Sequence, residues 1–303
     1  MSVVAENICK KYGAVQALNS VSFSAGKGEI FGIIGPDGAG KTTLFRILTT
    51  LILADSGKAF VDGFDVVNDF KKIRHLAGYM PGRFSLYQDL TVAENLKIFA
   101  SVFNTTIEEN YHLIKDIYSQ IEPFKNRRAG ALSGGMKQKL SLSCALIHKP
   151  SVLFLDEPTT GVDPVSRKEF WDMLMKLKQE GITILVSTPY MNEAALCDRI
   201  ALIQSGEIFK TDTPANIVKD FGKTLWAARS RNMSKLLTDL RNHKAIGHCY
   251  AFGDSHHVIV EDESLTAGAL LQYLSDHGHD MADVHPIEAG IEDCFIYLTS
   301  IKR

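Results

Sequence analysis

The sequence predicts an α/β fold, a mainly parallel sheet flanked by helices, followed by a smaller C-terminal α+β domain. Three observations predict it. First, the apolar run Ile30–Ile34 ends at a Gly-Pro turn and a glycine loop, after which Leu44-Phe45-Arg46-Ile47-Leu48 reads as a helix. Second, apolar runs at 152–155, 182–186 and 200–203 alternate with a helical segment opened by Asp163-Pro164, the order that builds a parallel sheet. Third, the rhythm changes near Phe221-Gly222-Lys223. A chain of 303 residues is long enough for two cores, since one core stops growing at roughly 250–300 residues.

In chain order, short β-rich runs, including 21–23, lead to the strand, loop and helix at 30–48. Apolar residues at Val92, Leu96, Phe99 and Phe103, then at Ile107, Tyr111, Ile114, Tyr118 and Ile121, recur at helical spacing. They predict two successive helices that part near Asn104, within an insert of about 82–135. The first domain is therefore expected over 1–221 and the second over 222–303. In the second, strand, helix (233–240), hairpin, helix (265–274) and a final mixed segment give a βαββαβ, ferredoxin-like expectation. Ser264 and Gly278 are its expected helix N-cap and stop.

With 45% hydrophobic and 22% charged residues, the composition is that of an ordinary globular chain. Apolar runs such as Ile30–Ile34 fall far short of the roughly 20 residues that cross a bilayer. A membrane role would have to run through a partner. MSVVAENICKKYG holds no apolar stretch of signal-peptide length. A net charge of -2 gives no electrostatic reason to bind nucleic acid. Cys9, Cys144, Cys197, Cys249 and Cys294 are scattered and form no CxxC pair, so reduced thiols are expected rather than a disulfide framework or a zinc site.

The chemistry lies in three motifs. Gly35-Pro36-Asp37-Gly38-Ala39-Gly40-Lys41-Thr42-Thr43 satisfies the Walker A pattern G-x-x-x-x-G-K-[ST] between a strand and a helix. Glycines let backbone N–H groups turn towards phosphate oxygens, the helix start adds a positive dipole end, Lys41 reaches the outer phosphates and Thr42 ligates Mg²⁺. The apolar run 152–155 ends in Asp156-Glu157. Asp156 would hold Mg²⁺ through water, and Glu157 would polarise the attacking water as general base. Leu132-Ser133-Gly134-Gly135-Met136 precedes a helix-like run and offers another anion-binding helix start.

Over about 3–220 these motifs resemble the ATP-binding cassette family, the nucleotide-binding subunits of ABC transporters: the phosphate loop, LSGGM in place of the common LSGGQ, LFLDEP, and GVDP with Asp163. The resemblance implies a P-loop ABC-type ATPase core with an antiparallel β subdomain and a helical insert, binding ATP and Mg²⁺. It implies a head-to-tail pair of such domains, in which Ser133, Gly134 and Gly135 act in trans on a second ATP-binding subunit's nucleotide. Tyr12, in KKYGAVQAL, matches the aromatic residue that stacks on adenine. The insert, with Phe84 and Tyr87, would dock on an integral membrane permease subunit at the cytoplasmic face of the plasma (inner) membrane. Gly290-Ile291-Glu292-Asp293-Cys294-Phe295-Ile296 resembles the closing segment of type-2 drug, lipid and polysaccharide exporter ATPases. Without that resemblance it reads as an amphipathic helix opened by acids.

Three positions depart from the family pattern. Gly82 stands where Gln is usual, and Pro189, in VSTPYMNEA, stands where His donates to the γ-phosphate. Proline has neither a side-chain donor nor an N–H. Asp37 replaces the usual Asn. The expectation is sound ATP binding with weakened hydrolysis at the chain's own loop, and pairing either with itself or with a different ATPase subunit. Competing readings are a soluble cassette ATPase acting on ribosomes or DNA, and a hydrolysis-poor regulatory subunit. Seven of the ten histidines follow residue 240. His277, His279 and His285, beside Asp276, Asp280 and Asp283, are expected to be solvated loop residues rather than metal ligands.

Overall fold

The computed structural model describes residues 1–300, so the last three residues of the expected 222–303 segment lie outside the described residues. Two compact units divide the chain, Met1–Pro214 and a second from Ala215 onward.

The first unit opens with two long strands rich in β-branched and alternating residues, β1 (Val3–Tyr12) and β2 (Val15–Ala25). After β3 (Ile30–Ile34), α1 (Lys41–Leu48) buries Leu44, Phe45, Ile47 and Leu48. Each buried side chain contributes roughly 1.5–3 kcal/mol. Next come β4 (Ser56–Val61), β5 (Phe64–Asp65), α2 (Phe70–Leu76) and β6 (Ala77–Met80). An antiparallel sheet of order β2-β1-β4-β5 results. One core joins this sheet, α1 and the inner strands, with Phe23 stacked on Phe31 at 5.3 Å and Phe45 edge-on to Phe154 at 5.7 Å.

The insert forms α3 (Val92–Val102) and α4 (Ile107–Tyr118), parted around Asn104. Each begins with a capping box, Thr91 with Glu94 and Thr106 with Glu109, so two orphan N–H groups are satisfied reciprocally. Then follow α5 (Gly134–Leu146), β7 (Val152–Asp156), α6 (Pro164–Gln179), β8 (Thr183–Thr188), β9 (Arg199–Gln204) and β10 (Glu207–Asp212). Asp163 caps α6 and Pro164 opens it. Phe170, Trp171, Met173, Leu174 and Leu177 form its buried stripe. The second sheet has the order β10-β9-β3-β8-β7-β6, with every pair parallel except β10 on β9. The C-terminal ends of β3, β8, β7 and β6 therefore open on one edge, where α/β sheets bind ligands.

Between the two units' sheets lies α7 (Pro214–Lys219) in sequence. The second unit runs β11 (Thr224–Arg229), α8 (Met233–Asn242), β12 (Ile246–Phe252), β13 (Ser255–Val260), α9 (Ala267–Asp276), β14 (Asp283–Pro286) and α10 (Ile291–Ser300). Its sheet is antiparallel throughout, in the order β12-β13-β11-β14. That is the strand order of a ferredoxin-like βαββαβ unit, here with one added helix. Thr266, not Ser264, caps α9, accepting from the Ala269 N–H at 3.2 Å. The reason is local: the Ser264 N–H donates to Asp262 Oδ1 at 2.9 Å, a turn that delays the helix. Gly278, at φ +73, follows its end.

His279 also departs from expectation, for it is buried, with Nε2 2.8 Å from Asp239 and Nδ1 3.2 Å from Ser230 Oγ. His285 is exposed beside Asp283. Among the described residues no group of three His, Cys, Asp or Glu is arranged to hold a metal ion. Asp293, in the first turn of α10, is buried too. It accepts from the Gly290 N–H at 2.7 Å and Tyr250 Oη at 2.7 Å, and meets His257 Nδ1 at 2.6 Å.

Candidate functional site

The phosphate loop leaves β3 at Gly35, where a Cβ would collide with the Ile203 carbonyl oxygen. Only glycine permits that approach. Gly40, at φ +102, turns the chain into α1, and a Cβ there would collide with the Ala17 carbonyl. Pro36, Asp37 and Gly38 are exposed on the crest of the loop, while Ala39 is buried beneath it. The first N–H groups of α1 have no partner inside the helix, and the positive end of the helix dipole there favours negative charge.

Lys41 is 3% exposed and its Nζ is gathered by three oxygens: the carbonyls of Gly35 at 2.8 Å and Pro36 at 3.0 Å, and Glu157 Oε1 at 3.1 Å. Glu157 has φ +49, a left-handed conformation that a non-glycine residue adopts at a cost. Its backbone N–H is held by the Ser187 carbonyl at 3.0 Å and Ser187 Oγ at 3.1 Å. The same hydroxyl donates to Asp156 Oδ1 at 2.6 Å. Asp156 and Ser187 are register partners on β7 and β8, so strand pairing places both carboxylates. Half-buried Tyr79 stays protonated beside them, its hydroxyl pushed up to about 12 chiefly by burial and then by the Asp156 charge.

Tyr12, Gly38, Gly40, Lys41, Thr42, Thr43 and Glu157 line a single pocket of about 190 Å³, together with Val15, Gln16 and Ala17. Tyr12 is 47% exposed on its rim. Ser133, Gly134 and Gly135 do not line it. They form the start of α5, with Ser133 Oγ accepting from the Met136 N–H at 3.4 Å. Gly82 sits against the acid-bearing strand, where a Cβ would lie 3.0 Å from the Asp156 carbonyl. Pro189 follows Thr188, whose carbonyl accepts the Gly35 N–H at 3.2 Å.

Sequence reading missed Val15, Gln16 and Ala17, although KKYGAVQAL ran through them. It also missed Ser187, the residue before Thr188-Pro189, and Glu193. Glu193 is buried at 1% exposure and accepts from Thr159 and Thr188. A lone acid in a single short helical turn carries no periodic signal, so nothing in the sequence pattern could have marked it.

Residues 18–160 match the family model described as "ABC transporter". The chain is 38% identical over 218 residues to the probable multidrug ABC transporter ATP-binding protein YbhF of Escherichia coli (strain K12). That match covers 71% of this chain but only 38% of YbhF's length. It is 32% identical over 306 residues to the daunorubicin resistance ATP-binding protein DrrA2 of Streptomyces coeruleorubidus, covering 98% of this chain and 95% of that protein. Among solved structures it resembles the dimeric post-hydrolysis ATP-binding cassette MJ0796 bound to ADP and Pi, with a TM-score of 0.64 and 27% identity over 70% of this chain and 98% of that one. With the phosphate loop, the paired carboxylates and the sheet edge that joins them, the chain belongs to the ABC transporter family, among its ATP-binding subunits.

Proposed function

We propose that this chain binds and hydrolyses ATP as the motor subunit of an ABC-type exporter, driving transport through a separate integral membrane permease. The observation that carries the reading is the one pocket in which Tyr12, the phosphate loop and Glu157 meet. Tyr12 stacks on the base, backbone N–H groups from Gly40 to Thr43 at the start of α1 hold the phosphates, and Lys41 exchanges its carbonyl partners for phosphate oxygens. Glu157 accepts the proton of the attacking water. Thr42 and Asp156 offer hard oxygen donors suited to Mg²⁺, and Asp156 is already oriented by Ser187. When bound there, the ion supplies positive charge at the outer phosphates. In a dimer, Ser133, Gly134 and Gly135 serve the second subunit's nucleotide.

Docking on the permease is supported by an apolar groove of about 500 Å³ lined by Leu51, Phe99, Val102, Phe103 and His148, on the side of the helical insert. No helix among the described residues is long and apolar enough to cross a membrane, which fits a peripheral subunit on the cytoplasmic face. The exporter reading also draws on the names of YbhF and DrrA2.

A second reading of the site is favoured by Gly82 and Pro189, which remove two side chains from the nucleotide's surroundings. In it this chain pairs with a different ATPase subunit, completes that partner's site through LSGGM, and turns over its own ATP slowly. The test is nucleotide binding and ATPase activity of the purified chain, alone and reconstituted with a co-purifying integral membrane permease and any second ATPase subunit found with it. Binding abolished by Lys41→Ala, with turnover stimulated by the permease, is expected. A chain that binds no ATP, or a permease that leaves turnover unchanged, would sink the exporter reading.

A further inference from the structure

The loop after Pro189 closes back on the site through one buried side chain. Glu193 lies in the helical turn Met191–Leu196, and both its carboxylate oxygens are used. Thr159 Oγ1 donates to Oε1 at 2.7 Å and Thr188 Oγ1 to Oε2 at 2.6 Å. Both threonines are fully buried. Arg167, on α6, stands 3.7 Å from Oε1 and lays its guanidinium 4.2 Å over the Tyr190 ring.

Each of these partners leads to the nucleotide pocket. The Thr188 carbonyl accepts the Gly35 N–H at 3.2 Å, and the Tyr190 N–H donates to Thr188 Oγ1 at 3.1 Å. Thr159 belongs to the turn that Glu157 opens, closed by the Thr160 N–H on the Glu157 carbonyl at 3.2 Å. Burying a carboxylate in an apolar setting is expensive unless its bonds are complete. Completed, such a network rigidifies what it touches. Here it touches the start of the phosphate loop, the end of β8 and the turn that holds Glu157 at φ +49.

We infer that Glu193 is a positioning residue for hydrolysis: it fixes the Glu157 turn against the end of β8, so that the carboxylate is aimed at the water rather than left to swing. The inference rests on the reading of Glu157 as the base. It assigns Glu193 no contact with nucleotide. The consequence is a defect confined to the chemical step.

The experiment is single-turnover hydrolysis of radiolabelled ATP by the whole chain in excess, with Mg²⁺, beside equilibrium binding of the same nucleotide. Glu193→Ala should slow hydrolysis roughly 10- to 100-fold, the scale of a small misplacement of a reacting group, while affinity shifts less than about threefold. Glu193→Gln, which keeps an acceptor, should recover part of the loss. Thr159→Val removes one hydroxyl at constant shape and should reproduce the rate defect even where the Ala variant fails to fold. In a Glu157→Gln background, Glu193→Ala should cost nothing further, because the residue acts through Glu157. Rate losses that multiply in the double variant, or affinity that falls in step with rate, would overturn the inference. A Glu157→Gln chain with undiminished rate would instead refute the base assignment, and the inference with it.

Discussion

His148 shows how one side chain couples this fold to pH. Its ring stacks on Phe103 at 3.8 Å, its Nε2 lies 3.2 Å from the Ala77 carbonyl, and its Nδ1 is buried without a partner. Burial, and to a smaller degree His75, holds its pKa down to about 4 from an ordinary 6.5. Above 6.5 both folded and unfolded chains carry it neutral. Between 6.5 and 4 only the unfolded chain is protonated, so stability falls as pH drops, by up to about 1.4 kcal/mol per unit. His148→Phe should narrow the gap in Tm between neutral pH and about pH 5.5, measured by calorimetry; an unchanged gap would refute this account. Pro189 makes a second prediction at this scale. If its missing donor limits turnover, Pro189→His should raise single-turnover hydrolysis by up to about 10²-fold, the usual worth of one preorganised donor. Equal rates would remove Pro189 as the cause of slow turnover.

Among the elements, the helices were legible because their signals are local. Apolar spacing at 92–103 and 107–121 marked both helices of the insert; the structure opens each with a capping box, Thr91 with Glu94 and Thr106 with Glu109, and ends α4 at Tyr118, short of Ile121. Thr91→Ala should cost about 1 kcal/mol, read as a lower denaturation midpoint with unchanged slope. The start of α9 misled because Ser264 and Thr266 are both competent caps, and an Asp262 turn decides between them. Strand order was less legible than strand existence: nothing local says that β3 lies between β8 and β9. Yet that order makes the site, since it brings Gly35, Ser187 and Asp156 to one edge. The phosphate loop and the two carboxylates could be read from their motifs. Glu193 and Ser187 could not, because their roles exist only after the strands have paired.

For the molecule as a whole, the second unit has its own core, built on Trp226, Leu236, Leu240, Val258, Leu270 and Leu274, and its own polar centre at Asp293. The sequence marked Asp293 as part of a segment resembling the close of exporter ATPases or, without that resemblance, as an acid opening a helix; the fold surrounds it with Tyr250 and His257. Burial, then the bond to Asp293, pushes the Tyr250 hydroxyl pKa far upward, so Tyr250 acts only as a donor. Asp293→Ala would leave the Gly290 N–H, the Tyr250 hydroxyl and the buried His257 ring without this acceptor and should cost on the order of 1–3 kcal/mol. Hydrogen exchange should quicken at β13 and α10 amides, with β3 and β8 amides as the internal reference. No change there would show that α10 is held by its apolar face alone. A different tension is written into the backbone at Glu157, whose φ of +49 suits glycine better than any acid. Glu157→Gly should therefore be more stable than Glu157→Ala by about 1 kcal/mol, read as a higher denaturation midpoint, inverting the usual preference for alanine. Selection for heat resistance alone would drift this position towards glycine, so the acid that stands there is not explained by durability.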